Sequence, residues 1–228
     1  MAMPEQHISQ YGRSVAKAAP PKERFSAGYR LAQRISRLLF RVVYPVRYHG
    51  VEWAQMSAPF ILISNHNSML DPFLIAWKCA RYQIYFLGKK ELEGNPILKW
   101  AVGQLHMISV DRHNMDMAAM RACLKALKDG HPLGVFPEGT RHKQGVMQNL
   151  ESGVAFLALR ANVPLLPVYI SGRPRWFRAI DCYYGEPINF EKLIQDGVDK
   201  ANCDKLLDLI RERYQQFAAV AEKPVGAR

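Results

Sequence analysis

Residues 63–73 read ISNHNSMLDPF, an apolar run that breaks into a histidine, followed five residues later by an aspartate and a proline. On a regular helix, residues five apart point about 140° away from each other, so His66 and Asp71 would meet poorly if the whole stretch were helical. A loop that enters a helix removes the difficulty. With Asp71 as N-cap and Pro72 at N1, the carboxylate faces back to the loop, accepts from one imidazole nitrogen and leaves the other as a base. It also stabilises the imidazolium formed when the ring takes a proton. These are two members of a catalytic triad. No nucleophile completes it: there is no G-x-S-x-G elbow, and Ser68 lies between the pair. The pair suits general-base transfer of an acyl group to a hydroxyl brought by the substrate. Considered alone, it suits better still a His-Asp hydrogen bond that only fixes a loop. No HExxH or Cys/His cluster accompanies it, so no metal is expected.

Cations follow at matching places. In FPEGTRHK, residues 136–143, a Pro-Glu-Gly turn can expose backbone amides, and Arg141 can fork onto a phosphate or carboxylate. Arg112, in VDRHN, is the corresponding cation on another strand end. Glu138 is expected to hold an arginine or to accept from a substrate hydroxyl. Lys89 and Lys90 precede an expected short helix and could contact phosphates. Each of these charges, taken singly, also fits a solvated turn. Trp176 and Phe177, in GRPRWFR, fit lipid, an acyl chain or the core.

The elements that must position these residues can be read from periodicity. FILIS at 60–64, HMISV at 106–110, LGVF at 133–136 and VPLLPVYI at 163–170 read as strands, the last as a buried one despite its prolines, which favour strand ends or an edge. The first three each run into a polar loop and then a helix. The helix after HMISV should carry Met117, Met120, Leu124 and Leu127 on one face and close at Gly130. A weak strand near IDCYYG and a structural helix at about 201–217 complete the chain. Strands alternating with helices imply a single α/β domain: a central mixed, largely parallel sheet flanked by helices. In such sheets ligands bind at the carboxyl ends of strands, so the three polar loops should share one rim.

Residues 24–45 contain a proline-free stretch that Pro45 ends. Arg30, Arg34, Arg37 and Arg41 draw one stripe along it, and Leu31, Ile35, Leu38 and Val42 draw an adjacent one. This basic amphipathic helix fits either an interfacial anchor meeting lipid phosphates or a surface helix packed on the core. The expected organisation is a leader at 1–23, this helix at 24–45, the α/β domain at 46–222 and a tail at 223–228.

Net charge is +11, which suggests a polyanionic partner such as an anionic membrane surface, a phosphorylated substrate or nucleic acid. Nucleic acid is not expected, because the clearest arginine stripe lies on an apolar helix rather than among aromatics on a strand face. The four cysteines are scattered without zinc or disulfide-scaffold spacing, which fits a reducing cytoplasm. No apolar run approaches the roughly 20 residues that span a bilayer.

Taken in order, NHNSMLD, ISVDR, FPEGTR and VPLLPV resemble the four motifs of the glycerolipid acyltransferase family, most closely the 1-acylglycerol-3-phosphate (lysophosphatidate) acyltransferases, over roughly residues 50–190. The resemblance implies transfer of a fatty acyl group from acyl-CoA or acyl-carrier protein, as co-substrate and without a cofactor, to a lysophosphatidate hydroxyl, giving phosphatidic acid. It implies that His66 is the base and Asp71 its orienter. Arg112, Glu138, Gly139, Thr140 and Arg141 would form the acceptor-phosphate site, with Lys89 a further phosphate contact and Pro167 shaping the acyl side. It also implies a basic membrane-associated segment, here Arg30 to Arg41, and a peripheral place on the cytoplasmic face of a membrane. The sequence departs from the pattern at His106, where a small residue, often glycine, is usual, and at His142, where serine often follows. The rival readings are acylation of another lysophospholipid or glycerol-3-phosphate, a lipid hydrolase, and a non-enzymatic membrane or nucleic-acid binding module.

Overall fold

A computed structural model describes residues 27–76, 78–79, 81–89, 106–110, 117–139 and 147–221. The expected leader and tail, the helix after Lys90, and Arg112, Thr140, Arg141 and His142 lie outside the described residues. For Lys89 only the backbone is described.

Seven strands form one sheet: β1 (Val46–His49), β2 (Ile61–Ser64), β3 (Tyr85–Lys89), β4 (Ile108–Val110), β5 (Leu133–Val135), β6 (Leu165–Ile170) and β7 (Ile180–Tyr184). Their spatial order is β1-β7-β6-β2-β5-β3-β4. All neighbours are parallel except β6 and β7. The expected mixed, largely parallel α/β sheet is the fold observed.

β2 explains its own position. Phe60 and Leu62 pack on one face of the sheet while Ile61 and Ile63 pack on the other, all fully buried. Only a central strand covered on both sides reads as an unbroken apolar run, and each such side chain contributes roughly 1.5–3 kcal/mol. One face carries α3 (Met117–Lys128), α4 (Ser152–Ala161) and α6 (Lys200–Ala221). The other carries α2 (Asp71–Ala76) and Phe40. A short α5 (Glu191–Gln195) precedes α6.

The strand at 163–170 is buried, as read. Pro167 sits inside β6 between two partners, opposite Ile63 of β2, rather than at the strand end or edge that proline favours. It is tolerated because the β7 ladder finishes at Tyr184, where Gly185 donates to the Pro167 carbonyl and only the reciprocal bond is lost. Of the expected α3 face, Leu127 is buried and Met120 and Leu124 pack against the core, while Met117 is half exposed; Ala119, Cys123 and Ala126 are buried beside them, and such small residues let the helix seat closely on the sheet. Asp71 is the first helical residue rather than the cap, because Leu74 N–H already donates to Leu70 C=O.

The basic amphipathic segment comprises α1 (Ala27–Leu38) and a π-helical turn, Leu39–Val43. Among its described apolar side chains Phe40 is the buried one. Leu31, Ile35, Leu38 and Val42 are each half exposed or more, so the expected apolar stripe does not pack on the domain.

Candidate active site

β2 delivers His66 to the carboxyl end of the sheet, two residues beyond Ser64. Asn65 fastens that end: its amide oxygen accepts from Ile170 N–H at 2.8 Å and its Nδ2 donates to Ile170 C=O at 2.9 Å. The side chain thus continues the β2–β6 pairing one step past the strand and gives the histidine a rigid base. Asn67 Nδ2 adds bonds to Ile170 C=O at 3.1 Å and Gly172 C=O at 3.5 Å.

His66 Nδ1 lies 3.0 Å from Asp71 Oδ2. That same oxygen accepts the backbone N–H of Asn67 at 2.6 Å and of Ser68 at 2.7 Å. Asp71 is fully buried and the His66 side chain 16% exposed. A carboxylate only accepts, so Nδ1 carries the proton and Nε2 keeps its lone pair. Nε2 makes no hydrogen bond with a described residue. The arrangement holds a base of fixed tautomer at the rim.

The ring is also held from the side. Phe136 stacks on His66 at a centroid distance of 4.2 Å, and Phe86 stacks on Phe136 at 6.1 Å. Phe86 has room because residue 134 is glycine: a Cβ there would come within 2.2 Å of the Phe86 ring.

β5 delivers the second loop. Gly139, at φ +67, closes a turn in which its N–H donates to Phe136 C=O at 3.0 Å, a left-handed conformation that favours glycine. Glu138 is buried. One of its oxygens accepts the His66 backbone N–H at 3.2 Å and the other the Met147 N–H at 2.8 Å. The first and third motif loops are thereby joined at one rim, as expected. Pro167 is not brought to this rim. It lies buried in β6, with its ring toward Gly185.

Residues that spacing alone did not single out complete the support. Tyr48 Oη of β1 donates to Leu74 C=O at 3.0 Å, and Tyr184 Oη of β7 donates to Ile75 C=O at 2.6 Å. Both clamp the last turn of α2, which starts with Asp71. Burial raises the Tyr184 phenol well above its ordinary pKa, so it remains a donor. Beneath them, burial first and the Asp71 carboxylate second push the Cys182 thiol well up. Among the described residues no cluster of three or more His, Cys, Asp or Glu could hold a metal ion.

A sequence profile described as Acyltransferase matches residues 45–171, more than half of the chain. A protein of Limnanthes douglasii described as 1-acyl-sn-glycerol-3-phosphate acyltransferase is 28% identical over 190 residues, covering 80% of this chain and 66% of that protein. The chain therefore spans just under two thirds of that relative's length. A Bacillus subtilis protein of the same description is 26% identical over 144 residues, covering 63% of this chain and 71% of that one. The crystal structure of the 1-acyl-sn-glycerophosphate (LPA) acyltransferase of Thermotoga maritima has the same fold: TM-score 0.62, 24% identity, 84% of this chain and 78% of that one covered.

Proposed function

The chain belongs to the acyltransferase family, and from that premise we propose that it moves a fatty acyl group from an acyl thioester to the free hydroxyl of 1-acylglycerol-3-phosphate, giving phosphatidic acid. The observation that carries this reading is the buried Asp71 carboxylate, which holds His66 Nδ1 and two loop amides, with Nε2 unbonded among the described residues. In this reading Nε2 takes the hydroxyl proton as the oxygen attacks the thioester carbonyl. A C–O bond forms, the C–S bond breaks, and the imidazolium returns its proton to the departing thiolate. No covalent enzyme intermediate is needed, because the positioned alcohol is itself the nucleophile.

Asp71 is then a positioning residue, fixing tautomer and ring. Arg112, Gly139, Thr140 and Arg141 form the acceptor-phosphate site, with Lys89 a further phosphate contact, while Glu138 joins the loop after β5 to the His66 loop. Pro167 contributes to the acyl side only by shaping the sheet. The arginine-bearing segment of Arg30, Arg34, Arg37 and Arg41 lies on an anionic membrane surface, with the exposed stripe of α1 entering the lipid. Among the described residues no helix is long and apolar enough to cross a membrane.

The test is a transfer assay with lysophosphatidate, glycerol-3-phosphate and lysophosphatidylethanolamine as separate acceptors, and acyl-CoA and acyl-carrier protein as separate donors. Wild type is expected to make phosphatidic acid, and His66→Ala to lose about 10²–10⁴-fold in rate. Unchanged transfer by the variant removes His66 from the mechanism. Preference for another acceptor reassigns the substrate and leaves the family untouched.

A further inference from the structure

Between β6 and β7 the chain makes a tight turn at residues 175–178, in which Arg178 N–H donates to Arg175 C=O at 3.2 Å. At its tip stand Trp176 and Phe177, each 70% exposed. Scattered apolar residues on a surface are ordinary. Two adjacent large aromatics in a held conformation are not. Phe177 lies at φ +56, a left-handed backbone that an aromatic residue rarely adopts. Its N–H is bonded to Val43 C=O at 2.8 Å, and Trp176 packs edge-on against Tyr44 at 6.5 Å. The turn is thus pinned to the end of the helical segment, next to exposed Val42, and that segment also exposes Leu31, Ile35 and Leu38. Exposed Arg173, Arg175 and Arg178 flank the rings.

We propose that this turn is a second membrane-docking element, inserting Trp176 and Phe177 into the interface of an anionic bilayer and seating the His66 rim on the lipid surface. The occupant follows from charge and shape. Indole and phenyl rings belong at the headgroup boundary, and the flanking arginines, with those of α1, complement acidic lipid headgroups. The orientation follows from topology. β7 runs antiparallel to β6, and β1 parallel to β7. The starts of β1 and β7, where the helical segment and the turn attach, therefore share the end of the sheet where β2, β5 and β6 finish. The chain leaving β6 touches the histidine loop, through Asn67 and Gly172. Trp176 is four positions beyond Gly172, a reach of at most about 14 Å. The proposal deepens the lipid-acceptor reading, but its test needs no turnover.

Full-length protein is sedimented with vesicles of phosphatidylcholine containing or lacking phosphatidylglycerol, without donor or acceptor. Trp176→Ser/Phe177→Ser is expected to partition about tenfold or more weakly into the phosphatidylglycerol vesicles. Arg173→Gln/Arg175→Gln/Arg178→Gln should weaken binding to those vesicles and leave the neutral ones unaffected. Brominated lipids should quench wild-type fluorescence more than that of Trp176→Phe, a comparison that does not depend on the double variant folding. Equal quenching overturns the proposal, as does double-variant partition within twofold of wild type. So does a lipid-free change in sedimenting mass with unchanged partition, which would make the turn a contact between copies of this chain. Because catalysis is never read, failure here leaves the acyl-transfer reading standing, and failure of transfer leaves this one standing.

Discussion

Asp71 divides its two oxygens unequally. Oδ2 takes three donors, while Oδ1 is buried and without a partner among the described residues. Asp71→Asn keeps the shape, and its amide oxygen can still take those three donors, but the negative charge that stabilises the imidazolium is lost. Transfer should fall about 10²–10⁴-fold with the circular dichroism spectrum unchanged; a fall of under tenfold would deny Asp71 that role. In Glu138 both oxygens accept, so Glu138→Gln faces one backbone N–H, of His66 or Met147, with an N–H of its own. It should cost about 1–3 kcal/mol in urea unfolding. The His-Asp pair was legible because its five-residue spacing has one sensible geometry. The work of Asn65 and the bond from His66 to Glu138 were not, since both depend on where residues 72 and 105 positions away return to the loop. His106 shows a departure with a backbone cause. It lies at φ +44, where the small residue usual in the family pattern would be less strained.

Tyr214 of α6 ties the two central strands from beneath the rim. Its single hydroxyl proton is shared between Ile63 C=O at 2.7 Å and Val168 C=O at 3.0 Å, and the residue is fully buried. Tyr214→Phe is expected to lower stability by about 1–2 kcal/mol, read as a lower urea midpoint with an unchanged slope; no change would mean that the carbonyls find other donors. Periodicity located β2, β5, β6, β7 and α6 because their apolar residues are buried. β1 and β3 escaped it. VRYH alternates half-buried with exposed residues over too few positions, and YFLGK leads into lysines that read as loop. The buried Ala119, Cys123 and Ala126 of α3 were missed for a similar reason: Ala and Cys bury well yet weigh little beside Met and Leu in a pattern.

At the scale of the molecule, a charge of +11 suggested an anionic partner but not where it would sit, since composition carries no direction. The scattered cysteines gave a clearer expectation. All four are buried, and burial raises Cys79 to about 12 and pushes Cys182 and Cys203 up as well, so those three thiols stay protonated. Ellman's reagent should react with less than one thiol per folded chain over minutes and with four after denaturation; rapid reaction in the native state would contradict the packing around the sheet. The parallel core gives the other end of the sheet a use of its own. The turns that lead into β5 and β6 open there, and exposed Asp129 stands beside the first of them. With the native thiols shielded, Asp129→Cys would supply a single reactive handle. A chain immobilised through it would turn its aromatic tip and polar rim outward, as a surface-bound catalyst or a sensor requires.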